Sequence, residues 1–211
     1  MKKCICILTL FITFAARSQV QFGLFAGPQV TGVRYIINEV KQESSLKMGV
    51  NLGGQFKIPL EYRLTFAPSI MYNLRGYKVN FNSPSLLPEP SAVDNNTSFH
   101  TVELGFLFQH DFKLEPGHCF FRIGPSLDFA LFGKEEYNTA SSSVSRNMKF
   151  SFGDYGHYLA SAIFQFGYES KNGTFAYAHY NYSLTTMNNA DYGPKIGNRA
   201  AGISIGKYLK K

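Results

Sequence analysis

Met48-Gly49-Val50-Asn51-Leu52-Gly53-Gly54-Gln55-Phe56-Lys57-Ile58 decides the fold. Met48, Val50, Leu52, Phe56 and Ile58 share one parity, while Lys47, Asn51, Gln55 and Lys57 share the other, the period of two that marks a two-faced β-strand. The same period runs on through Leu60, Tyr62, Leu64, Phe66, Ile70, Tyr72 and Leu74, set against Glu61, Arg63, Thr65, Ser69, Asn73 and Arg75. A helix would scatter both sets around its circumference.

Working outward, further strands are readable at roughly 20 to 31, 99 to 113, 119 to 133, 157 to 170, 174 to 185 and 198 to 209. With Lys47 to Tyr62 and Leu64 to Asn80 taken separately, the count is about eight, each near the ~10 residues that a tilted membrane strand needs. The connections alternate in length. Short ones fall near Arg63-Leu64, at Glu115-Pro116-Gly117-His118 and at Lys171-Asn172-Gly173. Long ones, rich in Asn, Ser, Pro and Gly, fall at about 32 to 46, 80 to 98, 134 to 156 and 186 to 197. Tight periplasmic turns alternating with longer external loops are the plan of outer-membrane barrels. The expected fold is therefore all-β: an eight-stranded antiparallel up-and-down transmembrane β-barrel in the outer membrane.

The N-terminus fits export. Met1-Lys2-Lys3 is a cationic start, Cys4 to Ala16 an apolar run too short to cross a bilayer as a helix, and Ala16-Arg17-Ser18 a small-residue cleavage site. We expect a signal peptide over 1–18 and one barrel domain over 19–211. Cleavage would remove Cys4 and Cys6 and leave Cys119 alone, without an intramolecular disulfide. Losing Lys2, Lys3 and Arg17 takes the formal charge from +7 to +4, and with no Lys/Arg cluster interleaved with aromatics, nucleic-acid binding is unsupported. Phe (20), Tyr (13) and Gly (19) are abundant in the 211 residues, which suits pleated surfaces and turns rather than helices.

Alternation alone does not say which face points outward, since soluble lipocalin-type barrels also have about eight strands. The second face decides it. It mixes small residues (Gly49, Gly53, Gly105, Gly124, Ser126, Gly167, Gly202, Ser204, Gly206) with the charges Glu61, Arg63, Arg75, Glu103, Asp111, Arg122, Asp128 and Glu169. A narrow lumen filled by side chains needs such a mixture, so these are expected inside. Tyr62, Tyr72, Tyr168, Tyr180 and Tyr182 are expected outside, as interfacial girdles. If Pro116-Gly117 is a two-residue turn, Asp111 faces Arg122, and a lumenal ion pair is expected there. In the strand at 174 to 185, a two-residue Asn172-Gly173 turn and a three-residue bulged turn put opposite sets outward; we favour Tyr180, Tyr182 and Leu184.

The chain resembles the outer-membrane β-barrel family of Bacteroidetes, often labelled porin-family or PorT-like. The resemblance rests on Phe22-Gly23-Leu24-Phe25-Ala26-Gly27, the aromatic stretch Phe66 to Tyr77, Arg122-Ile123-Gly124-Pro125 and Gly202-Ile203-Ser204-Ile205-Gly206. It implies barrel construction without catalytic meaning, and one branch of the family is associated with protein secretion through the outer membrane.

Catalytic and ligating patterns are not found. His100, His110, His118, His157 and His179 are scattered without metal-ligand spacing, and no glycine loop is followed by the lysine of a phosphate cradle. His179 and Ser183 share a face, but four residues of strand separate them by roughly 13 Å, too far for proton transfer. We therefore expect a non-enzymatic monomer without cofactor or metal, with a structural or interaction role in the envelope. Its surroundings would be outer-membrane lipid, its partners other envelope or secretion proteins met through external loops. A lipid-modifying barrel enzyme and a soluble periplasmic ligand-binding barrel are the alternatives.

Overall fold

The computed structural model describes residues 20–113 and 117–209; the expected signal peptide, as well as Glu115 and Pro116 of the expected turn, lie outside them. Its strands are β1 (Gln21–Ile37), β2 (Val40–Lys41), β3 (Glu43–Glu61), β4 (Leu64–Asn80), β5 (Asp94–Asp111), β6 (His118–Asn138), β7 (Ser143–Asn147), β8 (Tyr158–Glu169), β9 (Thr174–Ser183) and β10 (Lys195–Leu209). Apart from β2 and β7, which are short additions at the loop end, each strand pairs antiparallel with its chain neighbours, and β10 pairs with β1 from Phe22↔Leu209 to Ile36↔Lys195. The result is a closed up-and-down ring of eight wall strands with no free sheet edge around the wall.

Orientation follows from exposure. On β10, Ile203 is 65% and Ile205 63% exposed while Ser204 between them is 1% exposed. Leu24, Leu52, Ile70, Phe106, Leu127 and Phe166 likewise lie outside, on other strands. A soluble ligand-binding barrel needs the reverse arrangement, with its apolar face around a cavity, so this orientation removes that alternative. The strand at 174 to 185 follows the same rule. Ser170 N–H donates to Thr174 O at 2.8 Å around Lys171-Asn172-Gly173, with Gly173 at φ +78, so the turn has three residues and a left-handed closing glycine. Phe175 and Tyr177 therefore point inward, and Tyr180 and Leu184 outward.

Two expectations need correction. The β5–β6 pairs are Asp111↔Phe120 and Gln109↔Arg122, because the hairpin closes with Phe112 N–H donating to Cys119 O, a longer connection than a Pro116-Gly117 turn. Asp111 and Arg122 thus stay on the inner face but are not opposite each other. The connection expected at 32 to 46 is also largely strand, since β1 runs to Ile37 and β3 begins at Glu43, and strand reaches into the other long connections, with β5 beginning at Asp94, β6 continuing to Asn138 and β10 beginning at Lys195. β3 has 19 residues and β6 has 21, which at ~3.3 Å per residue exceeds what even a steeply tilted strand needs to cross a ~25 Å apolar band. The surplus projects on the loop side, where both faces meet polar surroundings or packed loops and the alternation loses its contrast.

The interior is layered. Nearest the turns lies an ionic and amide layer, then an apolar cluster of Phe25, Leu107, Phe120, Ile163, Phe175 and Tyr177 among others. A second buried charge layer follows around Arg75, and a larger apolar cluster beneath the loops closes the far end. Small positions make this filling possible: a Cβ on Gly167 would stand 2.6 Å from the Phe120 ring, and one on Gly206 2.4 Å from the Phe175 ring. This is the small-for-large exchange that a narrow lumen requires.

Candidate functional site

The centre of the lumen is organised by Arg75 on β4. Its Nη2 donates to Glu103 Oε2 and its Nη1 to Asp128 Oδ2, each at 2.6 Å, and all three side chains are at most 3% exposed. Neighbours complete the carboxylates' shells: Asn73 Nδ2 and Ser126 Oγ donate to Glu103 at 3.0 and 2.6 Å, and Thr101 Oγ1 donates to Asp128 at 3.0 Å. One guanidinium serves two carboxylates, so each ion depends on the others for the solvation that burial has removed. The space left beside this cluster is about 10 Å3, lined by Gln29, Asn51, His179 and Asn181 among others. That admits no more than about one water molecule.

Nearer the turns, Arg122 is fully buried and meets no carboxylate among the described residues. Its Nε donates to Gln109 Oε1 at 2.6 Å, Nη1 to Gln55 Oε1 at 2.9 Å and Gln165 Oε1 at 3.1 Å, and Nη2 to the Tyr208 hydroxyl at 3.0 Å. Its guanidinium stacks 4.2 Å from the centroid of the Phe120 ring. Oriented amide dipoles and an aromatic face replace a counter-ion. Gln109 also donates to Asp111, so the two residues expected as an ion pair are joined through Gln109; no direct Asp111–Arg122 contact within 4 Å exists among the described residues. Asp111 belongs instead to a cluster at the turn end, where Lys57 Nζ lies 2.6 Å from Glu169 and 3.8 Å from Asp111, and His118 Nε2 lies 3.1 Å from Asp111.

This difference gives a prediction. Arg122→Met leaves neutral amides and a phenol that can bond one another or one water, so the expected loss is about 1–3 kcal/mol, the penalty for an unpaired neutral polar group. The urea midpoint of refolded barrel, read by gel mobility without boiling, measures it. A loss as large as that expected below for Arg75 would show that Arg122 has a hidden counter-ion.

The remaining residues fall as follows. Arg75, Glu103, Asp128 and Glu169 are buried on the inner face. Glu61 is exposed at the turn end and Arg63 half-buried there, not in the lumen. A register shift between Pro59 and Glu61 ends the alternation, and Arg63 Nη1 donates across the outside to Phe112 O at 3.0 Å. Tyr62 (79% exposed) and Tyr168 (50%) stand near the turn end; Tyr72, Tyr180 and Tyr182 also face outward, with Tyr182 toward the loops. His179 and Ser183 both face inward, but Ser183 Oγ donates to Thr185 O at 2.7 Å. Among the described residues, no group of three or more His, Cys, Asp or Glu is placed to hold a metal ion.

The loop end carries the residues that sequence reading missed. Tyr35, Tyr77, Phe99 and Ile196 from the wall pack with Leu87, Met148, Tyr155 and Met187 from the connections. Tyr35 hydroxyl donates to Leu87 O at 2.6 Å, Tyr155 hydroxyl donates to Glu135 Oε2 at 2.8 Å, and Arg146 binds both Glu135 and Pro88 O. Burial pushes the Tyr155 hydroxyl well above the usual tyrosine range, so it stays a donor to Glu135. The connections therefore form a packed lid on the barrel. Its tips expose Phe152 (88%) and Tyr192 (101%).

A family model described as outer membrane protein beta-barrel domain matches residues 14–189. Among solved structures, Ail, the attachment invasion locus protein of Yersinia pestis, is 14% identical, with 88% of this chain and 97% of that one covered and a TM-score of 0.43. Neisserial surface protein A is 10% identical over 89% and 97%, with a TM-score of 0.44. OprG from Pseudomonas aeruginosa is 10% identical over 92% and 98%, with a TM-score of 0.48. No curated protein sequence matches.

Proposed function

The chain belongs to the outer membrane protein beta-barrel domain family, and from that premise we propose that it acts as a non-enzymatic envelope barrel that presents its lidded loop end to a partner. It is an outer-membrane protein whose wall crosses with strands. The observation that carries the proposal is that the lumen is filled by paired ions, amides and two apolar clusters, while the exposed aromatics Phe152 and Tyr192 sit on a packed lid. Among the described residues this packing leaves a solute no continuous way through, and no hydroxyl, imidazole and carboxylate are hydrogen-bonded together on the lipid-facing side.

The same proposal includes removal of residues 1–18 and a barrel domain over 19–211. The exposure of Tyr62 and Tyr168 near the turns, and of Tyr180 and Tyr182 farther up, supports their assignment to the two membrane interfaces. The resemblance to PorT-like proteins extends the proposal to a partner in protein secretion.

Photo-crosslinking amino acids placed at Phe152 and Tyr192 in cells, with a lipid-facing control at Leu127, test the reading. We expect one shared protein adduct from the two tips and none from the control, alongside no stable conductance from purified barrel in planar bilayers. Large steady channels, or adducts from Leu127 alone, would sink it.

A further inference from the structure

β9 ends at Ser183, whereas its neighbour β10 begins at Lys195 and β1 runs on to Ile37. Where β9 stops, a cleft of about 330 Å3 opens, lined by Arg34, Tyr182, Thr185, Thr186, Lys195 and Arg199 among others. The register makes Arg34 and Arg199 diagonal neighbours on the outer face, since Arg199 lies opposite Gly32 and Arg34 opposite Gly197. Each thus faces a glycine. A Cβ on Gly197 would meet nothing within 4 Å, so the approach from that side is open.

Both arginines converge on one phenol. Arg34 Nη1 donates to the Tyr182 hydroxyl at 3.4 Å, and the Arg199 guanidinium lies 5.3 Å from the Tyr182 ring centroid. Neither has a carboxylate within 4 Å among the described residues, and Arg199 Nε is buried without a hydrogen-bond partner. Lys195 differs, being paired with Glu39 at 2.6 Å. Thr185 and Thr186 hydroxyls accept backbone N–H groups from Ala160 and Ile196, which leaves their own protons to donate. The cleft therefore offers donors and two cations with no carboxylate in contact among the described residues; the nearby acid, Glu39, feels the charge of Arg34 but is bound to Lys195.

Its height selects the anion. Above Lys207 at the turn end, outward residues on β1 and β10 are apolar up to Val30 and Ala201, and the charged positions Arg34 and Arg199 follow on the loop side, level with the outward Tyr182. That is the border between the apolar belt and the external headgroups. Guanidinium pairs recognise phosphate bidentately, and basic pockets at this level hold anionic headgroups. We propose that Arg34 and Arg199 clamp the phosphate of an outer-leaflet glycolipid, with the acyl chains lying along the adjoining apolar wall. The site does not depend on whether the lid has a protein partner.

Full-length mature barrel in nanodiscs doped with phosphorylated lipid A, or with the same lipid lacking phosphate, is the test. Lipid retained after transfer to detergent is counted by native mass spectrometry. Wild-type barrel is expected to keep the phosphorylated form and to lose the other. R34Q/R199Q is expected to retain at least about tenfold less, since each lost charge-assisted bond alone carries roughly that factor, while its mobility on unboiled gels stays that of folded barrel. Equal retention of both lipids by the wild type overturns the proposal without any variant. So does displacement of the lipid by millimolar inorganic phosphate, which would mark a free-anion site.

Discussion

Arg75→Met is expected to destabilise the folded barrel by about 3–5 kcal/mol, the range for breaking a buried ion pair from one side. With a urea slope of roughly 2 kcal/mol/M, that moves the unfolding midpoint down by more than about 1 M. Methionine fills much of the same volume, so packing is nearly conserved. What changes is charge: Glu103 and Asp128, both 1% exposed, lose the guanidinium bound to each at 2.6 Å. Asn73, Ser126 and Thr101 still donate to them, but these are neutral dipoles facing two like charges. R75M/E103Q/D128N should recover most of the loss, because a neutral triad of similar shape leaves no buried ion unanswered. A midpoint for R75M within about 0.3 M of wild type would show that solvent reaches the cluster, and the closed-lumen reading would fall with it.

The contrast between Arg75 and Arg122 also marks where sequence reading stops. Both were legible as lumenal from parity alone, since a slip of two residues leaves every side chain on its own face. Partners were not legible, because they depend on the register. The Pro116-Gly117 pair advertises a tight turn, yet the hairpin closes at Phe112 and Cys119, and that slip replaces an Asp111–Arg122 pair with Gln109 standing between them. Glu61 escaped for a related reason: the alternation through Leu60 and Tyr62 gives no sign of the register shift at Pro59. The lid was illegible on other grounds. Leu87, Met148, Tyr155 and Met187 are sparse apolar residues in largely polar stretches, without a sustained strand period, and only the closed ring beneath them makes them a core.

The ring's closing seam supplies the strongest single-atom test. Gly27 on β1 faces β10, and a Cβ built there would stand 1.9 Å from Ile203 O and 2.7 Å from Ser204 Cα. Both are backbone atoms, so no rotamer change relieves the clash; the strands must separate. The next residue, Pro28, donates no hydrogen bond, which leaves the seam around Gly27 dependent on close approach. Gly27→Ala is therefore expected to prevent closure, although glycine to alanine inside an ordinary strand is stabilising by about 0.5–1 kcal/mol. An unclosed β1 and β10 would expose two rows of backbone groups to hydrocarbon, each unsatisfied group costing several kcal/mol, and the chain should be recovered as aggregate without a fast-migrating band on unboiled gels. Gly197→Ala is the matched control: the same seam, the same added methyl, and open space around it. Its barrel should fold as the wild type does. If Gly27→Ala folds equally well, β1 and β10 do not meet as closely as the register from Phe22↔Leu209 to Ile36↔Lys195 requires, and the wall must close by some other pairing.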